Sequence, residues 1–149
     1  MLHILLAAHL VLFAFSFAFT AGLGILQSRA ARSGDAKYIH DIFSACRPLS
    51  TAGGIGWLFT ALVGFGLAQV AGIPLDTPWL LWSYAGFAVL MAVGFGIHMP
   101  HQAQVIRASA QGDTPELQAV LKSPLAPIAG MISALAVVGI VWLMCTVQA

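Results

Sequence analysis

Few side chains in this sequence could ligate, ionise or attack. Five histidines and two cysteines stand in a chain of 149 residues that is 60% hydrophobic and only 7% charged. Two of the histidines fall in one stretch, Gly94–Gln102 (Gly-Phe-Gly-Ile-His-Met-Pro-His-Gln), on either side of Pro100. On a helix, residues three apart share a face, so His98 and His101 could offer two nitrogens to one metal ion, copper being the candidate. A metal site needs more ligands than two, and no carboxylate or thiol is adjacent in sequence. The competing reading has both imidazoles capping and hydrogen-bonding at a membrane interface. His9 lies deep in an apolar run, where an imidazole either bonds to a neighbouring helix or ligates haem b. His9 and His98 cannot share one haem, because roughly 15–20 Å separates them along the membrane normal at about 1.5 Å per residue. A haem would take one histidine with a weaker second ligand, Met91 or Met99, or a group from a neighbouring subunit. His3 belongs at the outer interface, and His40 lies among polar residues.

The elements that would position these groups are membrane spans. A soluble domain carries about 25% charged residues, far more than this chain. Four apolar runs, 2–26, 49–71, 79–99 and 125–147, each reach the roughly 20 residues needed to cross about 30 Å of hydrocarbon. In lipid the backbone must satisfy its own hydrogen bonds, so the runs are helices. Alternating phenylalanines at 13, 15, 17 and 19 look strand-like, but the length of the first run overrules that. No basic stretch precedes this run, and it exceeds the apolar core of a cleavable leader. The expected fold is an all-α integral membrane protein, one four-helix bundle over 1–149.

All six Lys and Arg residues lie in the connections 1–2 and 3–4, and the 2–3 connection carries only Asp76. By the positive-inside rule both longer connections are cytoplasmic and both termini face the other side, which places the chain in a bacterial inner membrane. Cys46 and Cys145 then lie about 30 Å apart at opposite ends, too far to pair. Segment 35–47 has Asp35 as a candidate N-cap and Ile39, Ile42, Phe43 and Cys46 on one face before Pro48 stops the pattern. It reads as an amphipathic helix on the membrane surface or as an extension of the second span. Segment 114–122 opens with Asp113 or Thr114 as cap and Pro115 at the first helical position.

Helix association in lipid rests on close packing, and two features supply it. Span one aligns His9, Ser16, Thr20, Gly24 and Gln27 on one stripe facing the interior. Span two carries a small-residue ladder, Ala52, Gly56, Thr60, Gly64 and Ala68. Span three aligns Met91, Gly94, His98 and His101, and Pro100 is expected to bend or end it. Span, basic amphipathic segment, span recurs at an offset of 76 residues, as two two-helix repeats related about the membrane normal.

This layout, with the opening Leu2-His3-Ile4-Leu5-Leu6-Ala7-Ala8, resembles small bacterial four-span membrane proteins of unknown function related to copper-resistance protein D. It is more distantly similar to the HemJ-type protoporphyrinogen oxidases. The latter resemblance implies haem b with a first-helix histidine, for which His3 or His9 could stand, and a third-helix lysine, which is missing here.

Three function classes follow. An accessory subunit packing against a larger membrane complex, or against copies of itself, suits the small-residue ladder and the absence of intramembrane charge. A haem b or copper protein would use His9, or His98 with His101. An oligomeric transporter or channel would have only histidines and hydroxyls for its path. Gly94-Phe-Gly96 lies inside a span and is no nucleotide motif, and a net charge of +1 gives no basis for nucleic-acid binding.

Overall fold

The computed structural model describes residues 1–146, which are helical with no strand among them. Helices α1 (Leu2–Ser33) and α2 (Ala36–Val70) form one hairpin. Helix α3 (Pro78–Val93) passes through a π-helical turn, Gly94–His98, straight into α4 (Met99–Ser109). After the short α5 (Pro115–Leu121), α6 (Leu125–Thr146) packs back along α3, and α4 joins the two hairpins by packing on α2. The expected end of the fourth span, at Val147, lies outside the described residues.

Four helical stretches are long and apolar enough to cross a membrane: Leu2–Ser33, Ala36–Val70, Pro78–Ser109 and Pro115–Thr146. At most 28% of the most apolar window of any of them is buried. Large side chains such as Leu62, Trp82 and Leu135 turn outward instead, as befits helices whose solvent is hydrocarbon. The first and third stretches begin and end 76 residues apart, Leu2 to Pro78 and Ser33 to Ser109. Their last residues make the same local bond: Ser33 Oγ donates to the Ala30 carbonyl and Ser109 Oγ to that of Ile106.

At about 1.5 Å per residue, the 32 residues of α1 extend about 48 Å, well beyond about 30 Å of hydrocarbon. The excess lies at the basic end, where the helices build a compact apolar core. Ala30, Ile39, Phe43, Val105, Ala108 and Leu117 are each no more than 5% exposed there. Only Gly34 and Asp35 separate α1 from α2. Gly34 takes φ +73°, a left-handed value that favours glycine, and Asp35 Oδ1 accepts from the backbone N–H of Lys37 and Tyr38 at 2.9 and 3.2 Å. Segment 35–47 is therefore the start of α2. Its apolar face packs under α4 and α5 rather than on lipid headgroups. Thr114, not Asp113, caps α5 by accepting from the Leu117 N–H.

Both prolines expected to interrupt helices are absorbed. Pro48 lies inside α2, which is held below by the buried Phe43 and above by its seam with α1. Pro100 neither ends nor breaks the third stretch. A proline ring collides with the carbonyl four residues back, and the wider π turn relieves this: the Met99 N–H reaches back five residues to the Gly94 carbonyl.

The α1–α2 seam is tight. A methyl group added at Gly56 would lie 2.5 Å from Ser16 Oγ, one at Gly64 2.7 Å from His9 Cε1, and one at Gly53 3.3 Å from Phe19 Cβ. Thr60 and Ala68 are also buried, but Ala52 is exposed and Gly53 takes its place. A four-residue repeat advances by about 40° per step on a 3.6-residue helix, so a long ladder cannot keep all its members on one partner. His9 Nδ1 lies 2.9 Å from the Thr60 carbonyl and donates to it as the Nδ1–H tautomer. Gly64→Ala should displace the imidazole, lowering stability by about 1 kcal/mol. In a thermal melt in detergent, the loss from Gly64→Ala should largely vanish in a His9→Ala background.

Candidate binding cleft between the two hairpins

The hairpins meet chiefly through α2 and α4 and again where Trp57 packs with Leu90 and Val137, while α1 and α6 barely touch. The facing residues explain the gap: Ala21 and Gly24 on α1, and Ala126, Gly130 and Ala134 on α6, are too small to close it. What remains is a half-open cleft of about 650 Å³. It adjoins a smaller half-open space of about 150 Å³, called the inner chamber, the two sharing Thr20, Gly24, Gln27, Trp57, Leu90, His98 and Ser133 as wall.

The wall is fixed by α2. Trp57, 5% exposed, donates from Nε1 to Thr20 Oγ1 at 3.0 Å, and Thr20 Oγ1 donates on to the Ser16 carbonyl at 2.7 Å. Phe13 meets the indole edge-on, 5.5 Å between ring centroids at 86°, a favourable aromatic geometry. Thr20 is therefore satisfied. Gln27 is served less well: its Nε2, shielded from solvent, meets no oxygen or nitrogen acceptor among the described residues and has only the weak acceptor sulfur of Cys46 beside it. Gln102 differs, since its Nε2 reaches the Phe43 carbonyl and Ser50 Oγ, each at 3.4 Å, and ties α4 to α2.

The π turn carries His98 into both spaces, where the backbone of Ala129 lies within hydrogen-bonding reach and His101 is its neighbour. Met91 and Met99 line the inner chamber with His98, and His101 lines the outer cleft. The structure thus gathers four of the residues singled out in the sequence. His9 is not among them, being held against Thr60 and Gly64. Nor does any group of three or more His, Cys, Asp or Glu suited to a metal occur among the described residues. Haem b fits poorly as a doubly ligated group: His98, Met91 and Met99 all project from one helical stretch and cannot grip a flat macrocycle from opposite faces.

No motif or spacing marks Trp57, Ser133 or Arg32 as cleft residues. Thr20 and Gln27 were legible as part of the polar stripe of α1. The structure divides that stripe: His9 and Ser16 turn to α2, while Thr20, Gly24 and Gln27 turn to the cleft.

An unpaired buried amide costs about 1–3 kcal/mol, whereas a hydrogen-bonded one is near balance. Gln27→Leu should therefore leave the thermal midpoint of the ligand-free protein unchanged or raised. Gln102→Leu should lower it, by about 1 kcal/mol of stability. Melts of the two variants in the same detergent compare them directly.

The chain shows no significant similarity to any curated protein or solved structure. A family model does match, over residues 1–147, that of the predicted integral membrane proteins DUF2269. With four spanning-length apolar helices and a match over nearly its whole length, the chain belongs to that family.

Proposed function

We propose that this protein is a non-catalytic accessory protein of the bacterial inner membrane that binds an amphiphilic molecule, taken laterally from the bilayer, in the cleft between its hairpins. The observation that carries this reading is the cleft itself. Its volume of about 650 Å³ lies within the roughly 300–1,000 Å³ of small-molecule sites, and it is mostly apolar with a few convergent polar groups. The amide of Gln27, with no oxygen or nitrogen acceptor and only the weak sulfur of Cys46 beside it, gives such a ligand a donor to satisfy.

Copper held by His98 and His101 would require ligands from outside the chain, and haem b would require a second axial ligand from elsewhere. These are the properties that kinship with copper-resistance protein D or the HemJ-type oxidases would bring, and the cleft favours neither. For a transporter, the cleft ends near Phe17 and Val137, about halfway along α1 and α6, a geometry suited to holding rather than passing a molecule.

Gly24 and Gly130 line the cleft, and a Cβ at either position meets nothing within 4 Å. Leucine at these positions should fill the cleft without disturbing the fold. Native mass spectrometry of protein purified in mild detergent should show a retained amphiphile in the wild type and in the control Gly139→Leu, but not in Gly24→Leu or Gly130→Leu. Equal retention in all four, or none in the wild type, would count against the reading. An absorption spectrum and metal assay of the same sample would expose haem or copper if either were the ligand.

A further inference from the structure

We infer that the ligand of this cleft is an anionic phospholipid of the leaflet on the basic side, with its phosphate at Arg32 and His101 and one acyl chain running inward; this rests on the cleft being a ligand site. Three observations select it. The first is charge. The one charged side chain in the lining is Arg32, joined by the imidazoles of His98 and His101 as neutral donors and by no Asp or Glu, in either the cleft or the inner chamber, so a cationic head would find no partner and an anionic one would find a guanidinium with neutral donors beside it.

The second is depth. Arg32 marks the mouth, in the last turn of α1. Gln27 lies five residues further in, about 7 Å at 1.5 Å per residue, with its amide donor lacking any oxygen or nitrogen acceptor. That order, a cation outermost and a neutral donor beneath it, matches a phosphate with ester carbonyls below. Deeper still the wall becomes Phe17, Leu90 and Val137, suited to a chain.

The third is length. On α6 the lining runs from Ala126 to Val137, about 16 Å along the axis. This is roughly one leaflet of a 30 Å hydrocarbon layer. A spanning helix from a partner would need a groove through both leaflets. The basic end faces the cytoplasm by its charge, and that leaflet is the one whose anionic lipids draw Lys and Arg.

Trp57 lines the site and is one of only four tryptophans, so replacing Trp79, Trp82 and Trp142 by Phe leaves a single reporter. In nanodiscs of phosphatidylcholine, phosphatidylglycerol brominated on one acyl chain should quench Trp57 at about fivefold lower mole fraction than brominated phosphatidylcholine. Arg32→Gln, a change at an exposed position, should erase that preference, while Arg29→Gln, which lies outside the lining, should keep it. Gly130→Leu should abolish quenching by both lipids. Equal quenching by the two lipids, an equal effect of Arg29→Gln, or stronger quenching by brominated stearate would overturn the phospholipid assignment and leave the cleft as a ligand site. Quenching that Gly130→Leu does not change would overturn the cleft itself.

Discussion

Within hydrocarbon, a leucine gains little by leaving lipid for a neighbouring helix, so the bundle depends on how closely two backbones can approach. The α1–α2 seam is where this protein meets that requirement. Gly56 and Gly64 have no room for a methyl group, because Ser16 and His9 of α1 occupy it, and Gly53 lies tight against Phe19. The side chains that fill those notches are themselves tied to backbone carbonyls, Ser16 to Leu12 within its own helix and His9 to Thr60 across the seam. A rigid first hairpin results, and Trp57, projecting from it, becomes a fixed wall rather than a mobile side chain.

The second hairpin is built differently. Between α3 and α6 the close approach is at Gly86, where an added Cβ would lie 3.1 Å from Ile140 Cγ1. Among the glycines of α6, neither Gly130 nor Gly139 has a neighbour that a methyl group would meet. The two hairpins are fastened mainly at the basic end, where Val105 and Ala108 of α4 close over Ile39 and Phe43 of α2. Because that core protrudes from the membrane, the ordinary hydrophobic effect operates on it. His40 adds to it across the hairpins, with Nδ1 at 3.1 Å from the Ile106 carbonyl. Fastened there and not along α1 and α6, the bundle is left with a cleft in its membrane-embedded part.

The π turn connects these two features. Pro100 and the pair Gly94 and Gly96 give the third stretch a wide turn at the level where it passes from the membrane to the basal core. A Cβ at either glycine would meet nothing within 4 Å, so it is the Pro100 ring and not crowding at the glycines that calls for the wider turn. Its position beside a cleft accords with the tendency of π turns to occur at functional sites.

Composition alone determined that the chain spans a membrane four times, because only helices satisfy their backbone in lipid and each apolar run has spanning length. The cap of α2 at Asp35 was equally legible, and that of α5 was narrowed to Asp113 or Thr114, both being local chemistry between residues a few positions apart. What needed the tertiary structure was the direction each face takes. The polar stripe of α1 reads as one surface in sequence but serves two neighbours, and the α2 ladder loses Ala52 because 3.6 residues per turn rotates it away. His98 and His101 were legible as a pair on one helix face, but the partners gathered with them, Trp57, Gln27, Ser133 and Arg32, come from three other helices. No spacing within a single segment encodes such a gathering. It follows from where two hairpins fasten and where they part.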